Sequence, residues 1–415
     1  MTKGHNNQGG KPRVAVLSSA PNGGAGIAAF RLHTALNTSE RFDADFVDAT
    51  ALGGLLPEGV VPRTSFTNRV MSDTHFTIEH AGPSRGWVID MLGQYDIINS
   101  HWASMLITLR ELDALSRLNK PLLLTCHDFN YFTGGCHYPA HCRNIETGCK
   151  TCPQLDLTRA SMSVVRRNAE IKRTILARPN VHLLAPSHFI IDNAVRVGAI
   201  PKERGHVLRN AYSPLLDAAP RFEPGAPIRV LLIADSLGER RKNMMLALKT
   251  LARLVRASQR GEIPFTLDLH LVGEAPSEIV EFVECTGANH TFYGKISDHA
   301  RLSEVMQASD LLLTCSSEDN WPNILVEAGV YGCMPVVGPG HGCEEFVKAF
   351  DFGVVAWGYA EDAFVDAIKR AITARTEGTV WRALRRIRSD HNSTLAADRF
   401  GKIADFAQDM AYEIA

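Results

Sequence analysis

The sequence predicts an α/β protein with two domains, each built around a doubly wound parallel sheet. The length of 415 residues fits two or three domains, at a prior of roughly 150 residues each. In the segment from Asp310 to Val337, an apolar run, a helix that Gly332 ends and a second apolar run follow one another. This pattern is typical of a strand–helix–strand unit in a parallel sheet. Similar alternation starts at Arg13 and again at Arg229, so we expect two similar halves.

The composition limits the classes of function. Apolar residues make up 45% of the chain and charged residues 21%, which is ordinary for globular proteins. The net charge of −1 argues against nucleic acid as a partner. No apolar run approaches the roughly 18 residues of a membrane span, and the first residues lack the apolar core of a signal peptide. We therefore expect a cytoplasmic protein, touching a membrane at most at its inner face, with nine cysteines that are thiols or metal ligands.

The first half begins after a polar, glycine-rich tail, residues 1–12, which is expected to be disordered. A strand over Arg13–Ser18, a glycine loop over Ser19–Gly26 and a helix over Ile27–Asn37 follow. Phosphate or sugar can approach such a loop closely because glycine has no side chain. The candidate ligand-binding residues of this loop are Gly23, Gly24 and Gly26.

The same glycines leave a second interpretation open. The stretch Gly24–Ala29 matches the dinucleotide pattern G-x-G-x-x-A, and Asp48 lies about where the acid that binds ribose would fall. An NAD-dependent enzyme is therefore an alternative. Against it, the loop before the first glycine is longer than the tight turn of that motif.

A histidine follows the next buried strands. The apolar run Pro121–Cys126 leads directly into His127 and Asp128, so His127 is expected at the carboxyl end of a strand, where ligands bind in parallel sheets. A packing or capping role for His127 stays open. Cys126 could be a thiol nucleophile, but a cysteine on a buried strand usually acts as a small apolar residue.

Four cysteines then lie within seventeen residues, in an insert that spans residues 134–153. Their spacing is C-x5-C-x6-C-x2-C, and the closing C-x-x-C knuckle suits a tetrahedral structural metal, zinc above all. A short loop with few apolar residues has no core of its own, so a metal would supply the ordering energy. An iron–sulfur cluster, unlinked thiols and two disulfides are the alternatives. The candidate ligands are Cys136, Cys142, Cys149 and Cys152.

The second half starts with a predicted strand over Arg229–Ala234, a loop over Asp235–Asn243 and a helix over Met244–Arg256. The loop carries three consecutive basic residues, which either bind an anion or form a solvated surface. Two more predicted strands end in glycine-containing segments. The candidate residues of this half are Arg240, Arg241, Lys242, Gly273, Gly294, Lys295 and Ile296.

Two acids eight residues apart, Asp319 and Glu327, lie in the central strand–helix–strand unit. Asp319 is in the loop at the carboxyl end of the strand, and Glu327 is inside the helix Pro322–Tyr331. The first turn of that helix offers backbone N–H groups of Asn323, Ile324 and Leu325, which favour a phosphate. A nucleotide sugar carries both phosphate and hydroxyl groups. The alternative is that Asp319 caps the helix and Glu327 is a solvated helix residue.

Taken together, these motifs resemble the signature of retaining glycosyltransferases of family four, which have the two-domain GT-B fold. The resemblance rests on the acid pair, on Gly332–Val337 after it, on the pair His127-Asp128 and on the glycine stretch near the first strand. The cysteine-rich insert resembles one in a subset of that family that builds bacterial surface polysaccharides of the colanic-acid type.

The resemblance implies a role for each matched residue. Glu327 would hold the ribose hydroxyls, Asp319 and His127 would contact the transferred sugar, and Lys242 would neutralise the donor diphosphate. Glu318 is a second candidate for the role of Asp319, because the family usually has glutamate there. The usual arginine is replaced by Ser236, and Arg240 or Arg241 would substitute for it. The glycine stretch would cover the donor phosphates and the acceptor, and Gly294–Ile296 would recognise the base.

The resemblance also implies the organisation and the reaction. An acceptor domain (13–213) and a nucleotide-sugar domain (214–394) would face each other across a cleft, and a terminal helix (395–415) would cross back to the first domain. A sugar would move from a UDP- or GDP-sugar to an acceptor hydroxyl with retention, without a catalytic metal. The acceptor would be a glycan, a lipid-linked molecule or a small molecule. The alternatives are a GT-B nucleotide-sugar epimerase and a binding protein with a decayed site.

Overall fold

The computed structural model describes residues 10–54, 76–77, 84–140, 142–155, 159–215 and 219–413. Most of the tail predicted over residues 1–12 thus lies outside the described residues. The strands are β1 (Arg13–Leu17), β2 (Asp43–Val47), β3 (Ile97–Ser100), β4 (Leu122–Thr125), β5 (Val181–Ala185), β6 (Gly205–Val207), β7 (Ile228–Ser236), β8 (Leu267–Glu274), β9 (Asn289–Gly294), β10 (Leu311–Thr314), β11 (Met334–Val337) and β12 (Val354–Val355).

Helices connect successive strands, as parallel pairing requires. They are α1 (Gly23–Thr38), α2 (Gly86–Leu92), α3 (Leu109–Ser116), α4 (Arg159–Leu176), α5 (His188–Arg196), α6 (Met244–Gln259), α7 (Ser277–Cys285), α8 (His299–Gln307), α9 (Asn323–Gly329), α10 (Gly342–Phe350), α11 (Glu361–Ala374), α12 (Glu377–Asp390) and α13 (Ser393–Glu413). In the part of the chain described, no helix combines the length and apolar character needed to cross a membrane.

The strands form two six-stranded sheets, and all their pairings are parallel. The first has the order β2-β1-β3-β4-β5-β6 and the second β12-β11-β10-β7-β8-β9. In the second sheet the chain moves outward from β7 to β9 and then returns to the other side of β7 with β10. The predicted fold class of two doubly wound parallel sheets is confirmed.

The central strands are recognisable in the sequence because of where they lie in the sheets. All four residues of β4 and all four of β10 are buried, because helices cover both faces of each sheet. The strands are therefore continuous apolar runs of leucine with a closing threonine. Because the strands of each sheet are parallel, their carboxyl ends lie at the same edge of that sheet, and the loops after them meet there.

The glycine stretch differs from its prediction. Helix α1 begins at Gly23, so the segment 23–26, which was predicted to be a loop, forms the first helical turn. Position 26 requires glycine for a steric reason, since a Cβ there would lie 2.2 Å from the carbonyl oxygen of Ala20. Phe30 is 48% exposed, because Ala29 and Leu32 occupy the buried face of the helix.

The terminal helix α13 packs against the first sheet. Phe400 is fully buried, and its ring meets the edge of Phe42 at a centroid distance of 5.7 Å. Arg41 donates to Asp405 at 2.7 Å on the surface of the same contact. Helix α13 therefore joins the end of the chain to its first half.

Candidate functional site

The loops after β7 and β10 meet where the strand order of the second sheet reverses, which is where open parallel sheets bind ligands. Asp319, in the loop after β10, accepts a hydrogen bond from Lys242 Nζ at 2.7 Å and one from Arg241 Nη1 at 3.0 Å. Arg241 also donates to the carbonyl of Glu318 at 2.9 Å. The topology thus brings together two of the predicted sugar- and phosphate-binding residues and one of the two proposed substitutes for the missing arginine.

The charges in this group are tightly coupled. Burial by itself would raise the pKa of Asp319, but the cations of Lys242 and Arg241 outweigh it and hold the pKa well below its ordinary range. The carboxylate therefore stays ionised. Arg241 is 7% exposed and is also paired with Glu239 at 2.8 Å, whereas Arg240 is exposed. Of the two candidates, Arg241 is the one that contacts Asp319 at 3.0 Å.

The neighbouring Asn320 reaches the first sheet. Its Nδ2 donates to the carbonyl of Cys126 at 3.1 Å, at the end of β4, and its Oδ1 accepts from the hydroxyl of Ser187. His127 follows Cys126 directly. The acid loop of the second sheet is therefore docked beside the predicted sugar-binding histidine of the first.

The cysteine-rich insert also contacts this group. The guanidinium of Arg241 lies over the ring of Tyr138, 4.2 Å from its centroid, and the backbone N–H of Ala140 donates to Glu318 at 2.8 Å. Burial raises the pKa of Glu318 to about 7, although the Ala140 N–H and the Arg241 charge act in the opposite direction. The insert thus packs on the loops that carry the predicted donor-binding residues.

Glu327 lies on α9, 8% exposed, and its carboxylate pairs with Arg31 of α1 at 2.8 Å. The guanidinium of Arg31 lies 4.7 Å from the ring centroid of Tyr212. These residues line a cavity of about 270 Å³ between the two halves. Other lining residues are Pro21, Phe30, His299 and Ser303.

The glycine stretch contacts the start of α9. Asn323 donates through Nδ2 to the carbonyl of Gly24 at 3.0 Å and accepts from Asn210 at 2.8 Å. The N–H of Leu325 is already donated to the carbonyl of Pro322 at 3.0 Å. The prediction of backbone phosphate donors therefore rests on Asn323 and Ile324, and Leu325 is removed from it.

The other predicted residues of the second half lie farther along the same sheet edge. Gly273 lies near the carboxyl end of β8. Its φ is +132°, and a Cβ there would lie 2.0 Å from the carbonyl oxygen of Ala234. Gly294 ends β9, Ile296 packs partly against the core, and Lys295 pairs with Asp235 at 3.4 Å.

The four cysteines of the insert are free thiols. Cys136, Cys149 and Cys152 are buried, and burial raises the pKa of each thiol, that of Cys152 to about 11. Among the residues that the structure describes, no group of three or more histidine, cysteine or acidic side chains is placed to hold a metal ion. The structure therefore gives the predicted zinc site no support. Thiols that pack among apolar side chains need not point toward a common metal position.

Sequence reasoning missed several residues that complete the site. Arg31 could have been found, because it lies seven residues after Gly24 on the same face of α1 and is polar beside apolar neighbours. Asn320 and Tyr138 carried no signal. Their contacts depend on how the two halves meet, which a single stretch of sequence does not specify.

The chain is similar in sequence to known proteins. Residues 229–384 match the family model described as glycosyl transferases group 1. The chain is also similar to a putative colanic acid biosynthesis glycosyl transferase, WcaC, of Escherichia coli K12, with 24% identity over 257 residues. That similarity spans 59% of this chain and 58% of WcaC.

Solved structures share the whole architecture. Anabaena Alr3699/HepE in complex with UDP has a TM-score of 0.61 at 16% identity, and the match covers 94% of this chain and 98% of that one. Sucrose-phosphate synthase from Thermosynechococcus elongatus gives 0.61 at 15% identity, with the same coverage. At such identities the likeness establishes the fold alone. The chain thus has the GT-B fold, and residues 229–384 of its second half are similar to the glycosyl transferases group 1 family.

Proposed function

We propose that this protein is a retaining glycosyltransferase of the hexosyltransferase type. It moves a sugar from a nucleotide diphosphate sugar to an acceptor hydroxyl in the synthesis of a bacterial surface polysaccharide or glycoconjugate. One observation carries the proposal: Asp319, Lys242 and Arg241 form one bonded group at the switch point of the second sheet, docked beside His127 of the first. The match to the group 1 family over the same half of the chain supports it.

The donor would lie between the two halves. Glu327 holds the ribose, and the cavity beside it takes the nucleoside. Gly23, Gly24 and Gly26 and the N–H groups of Asn323 and Ile324 approach the diphosphate. Gly273, Gly294, Lys295 and Ile296 line the edge of the site toward the base. Because Alr3699/HepE has been solved with UDP and with UDP-glucose, a uridine donor is the first choice over GDP.

The charges suit breakage of the glycosidic bond. Negative charge builds up on the departing diphosphate, and Lys242 and Arg241 supply two cations at the place where it forms. Asp319 is a poor base, since its pKa is held well below the ordinary range. In the proposed mechanism the acceptor attacks on the face that the diphosphate leaves, and a phosphate oxygen takes the acceptor's proton. Asp319 and His127 orient the sugar, and the two cations do the work that a divalent metal would otherwise do.

The acceptor and the metal complete the proposal. The first half binds a glycan, a lipid-linked molecule or a small molecule, and a lipid-linked acceptor would place the protein at the inner face of a membrane. We also propose structural zinc on Cys136, Cys142, Cys149 and Cys152, supported by their spacing. Binding would have to draw the four sulfurs together.

The experiment is a thermal-shift panel of UDP, GDP and NAD on purified protein, followed by a transfer assay with sugars on the nucleotide that binds. A ligand at 100 times its Kd should stabilise the fold by about 2.7 kcal/mol. Stabilisation by one diphosphate and transfer from its sugar would support the proposal. Conversion of the donor without an acceptor would favour the epimerase. Stabilisation by NAD alone, or by no ligand, would reject the transferase.

A further inference from the structure

A buried chain of side chains leads from β3 to His127 and begins at Asn99. The side chain of Asn99 is fully buried, and its Nδ2 donates to the carbonyl of Leu123 at 3.0 Å and to the hydroxyl of Thr125 at 2.8 Å. A carbonyl only accepts, so the amide nitrogen faces Leu123 and the amide oxygen faces the other way. That oxygen lies 2.8 Å from His101 Nε2. Since an amide oxygen also only accepts, His101 must carry a proton on Nε2.

The second bond follows from the first. His101 is 4% exposed, and burial, together with the neighbouring His127, holds its pKa well below the ordinary value. The ring is therefore neutral, and with its single proton on Nε2 it has a lone pair on Nδ1. His127 Nε2 lies 2.9 Å from that lone pair and must donate to it. Burial lowers the pKa of His127 to about 4, so His127 is neutral as well and has no proton left for its own Nδ1.

We infer that His101 is a positioning residue, which fixes His127 as a hydrogen-bond acceptor at Nδ1 for a hydroxyl of the transferred sugar. The inference rests on the proposed function. Within the described part of the chain, the His127 ring forms its hydrogen bond through Nε2. The ring follows Cys126, whose carbonyl accepts from Asn320 next to Asp319. The sugar hydroxyl would therefore lie between Nδ1 of His127, which only accepts hydrogen bonds, and the acid loop.

The direction of this bond has a chemical consequence. A hydroxyl can donate to Nδ1, whereas a fluorine or a carbonyl oxygen at the same position of the sugar cannot. A histidine that could carry its proton on either nitrogen would bind both kinds of group, because it could donate or accept a hydrogen bond at Nδ1. The chain from Asn99 through His101 thus makes His127 selective for a hydroxyl.

Protein NMR tests the protonation without any assumption about activity. The full-length protein is labelled with ¹⁵N in its histidine side chains, and His101→Phe and His127→Asn assign the two rings. At pH 7 we expect both wild-type rings to be neutral with the proton on Nε2. A proton on Nδ1 of His127, or a charged ring, would overturn the inference even if the protein proves to be a glycosyltransferase.

Two pairs of variants then test the role in turnover of the donor that the panel identifies. Asparagine places an acceptor near the position of Nδ1 and glutamine near that of Nε2, so His127→Asn should keep about 10-fold more kcat/KM than His127→Gln. His101→Gln can accept from His127 and donate to Asn99, so it should retain activity that His101→Phe loses. Equal losses within each pair, at unchanged melting temperature, would reject the positioning role. If no donor is found, the proposed function fails while the NMR result still decides the protonation.

Discussion

Glu327 is the residue whose proposed role and observed contact differ most. As the ribose ligand it should face the donor, yet its carboxylate is bound by Arg31 at 2.8 Å. Both statements hold if one carboxylate oxygen stays with Arg31 and the other accepts from the ribose, since a carboxylate offers several lone pairs. Arg31 would then orient the acid. The pair would be part of the donor site and also a link between α1 and α9.

Substitution separates these two roles. Glu327→Gln should lower kcat/KM for the donor by about 10- to 100-fold, because a charge-assisted hydrogen bond to the ribose is replaced by a neutral one. Arg31→Gln is the matched control, as it removes the same ion pair and leaves the carboxylate in place. Steady-state kinetics and melting temperatures of both variants decide the matter. If the two variants lose equal activity and equal stability, Glu327 serves the ion pair and the ribose role is wrong.

Glu318 predicts a pH dependence of stability. Its pKa is about 7 in the folded protein against an ordinary value of 4.5, because the carboxyl is buried. Between these values the folded state holds a proton that the unfolded state releases, so the free energy of unfolding falls as pH rises through this window. The penalty is complete above pH 7, absent below pH 4.5, and at most about 3 kcal/mol.

Glu318→Gln removes the charge and should therefore raise the melting temperature at pH 8 by several degrees more than at pH 5. Calorimetry of wild type and variant across this range is the measurement. Asp319→Asn is the contrasting variant, since the pKa of Asp319 is lowered by Lys242 and Arg241 and its ionised form stabilises the fold. Parallel melting curves for wild type and Glu318→Gln across the range would contradict the raised pKa.

Sequence reasoning reached some of these residues and not others for a physical reason. Four of the site residues follow a buried strand or lie in the helix after such a strand, so the local sequence pattern places them at a sheet edge. They are Asp319, Glu327, His127 and Lys242. Asn320 acts through contacts between the two halves, and nothing local marks it. Arg31 also acts between the halves, but its position seven residues after Gly24 on α1 is a local signal. The paired state of Glu327 was also out of reach, because it depends on the distance between α1 and α9.

Among the elements, the cysteine-rich insert has the least expected placement. Tyr138 of the insert packs on Arg241, and the N–H of Ala140 donates to Glu318, both of the second half. Asn130, which accepts from the buried Lys172, donates to the carbonyl of Gly135 in the insert at 3.1 Å, and His137 of the insert pairs with Asp128 at 2.8 Å. A segment from the first half therefore supports the cations that the donor would use.

Removing the aromatic ring tests this support. Tyr138→Leu should raise the KM for the donor by about 3- to 30-fold with a smaller effect on kcat, because a cation–π contact of about 0.5–2 kcal/mol no longer holds Arg241 in place. Tyr138→Phe keeps the ring and should behave like wild type. Donor kinetics at fixed acceptor give the answer. An unchanged KM in Tyr138→Leu would show that the insert and the donor site are independent.

The cysteines of the insert give a separate prediction. If they bind structural zinc, the double variant Cys149→Ser, Cys152→Ser should lose about one equivalent of metal and melt at a lower temperature. Elemental analysis of purified protein, before and after a chelator, measures this. Cys285→Ser is the control, since Cys285 is exposed and lies outside the insert. Metal content equal to that of wild type in the double variant would remove zinc from the proposal.

At the scale of the whole molecule, the two halves are held closed by polar contacts and not only by the terminal helix. Glu345 of α10 accepts from the N–H groups of His188 (3.0 Å) and Phe189 (2.9 Å) at the start of α5, and from Arg209 at 3.1 Å. Asn320 bridges to Ser187 at the same helix start. A negative charge at a helix N-terminus is stabilising, so the second half completes the capping of a helix in the first.

This arrangement predicts that closure can be weakened at one residue. Glu345→Ala removes three accepted hydrogen bonds and leaves Arg209 with the carbonyl of Pro186 and the longer Asp390 pair at 3.7 Å. The open form should gain population, so small-angle scattering of the free protein should give a larger radius of gyration. Because the donor site is built from both halves, the KM for the donor should rise by about 10-fold, the cost of roughly 1.4 kcal/mol spent on closure.

Glu344→Ala is the matched control for this prediction. Glu344 is the preceding residue of the same helix, and its bonds, to Lys348 at 2.5 Å and to the N–H of Gly340 at 2.6 Å, stay within the second half. It should leave both the radius of gyration and the KM unchanged. Adding the donor should return Glu345→Ala to the compact form, because a ligand that contacts both halves favours the closed state. If Glu345→Ala and Glu344→Ala scatter alike with and without donor, the contacts of Glu345 with α5 do not govern closure.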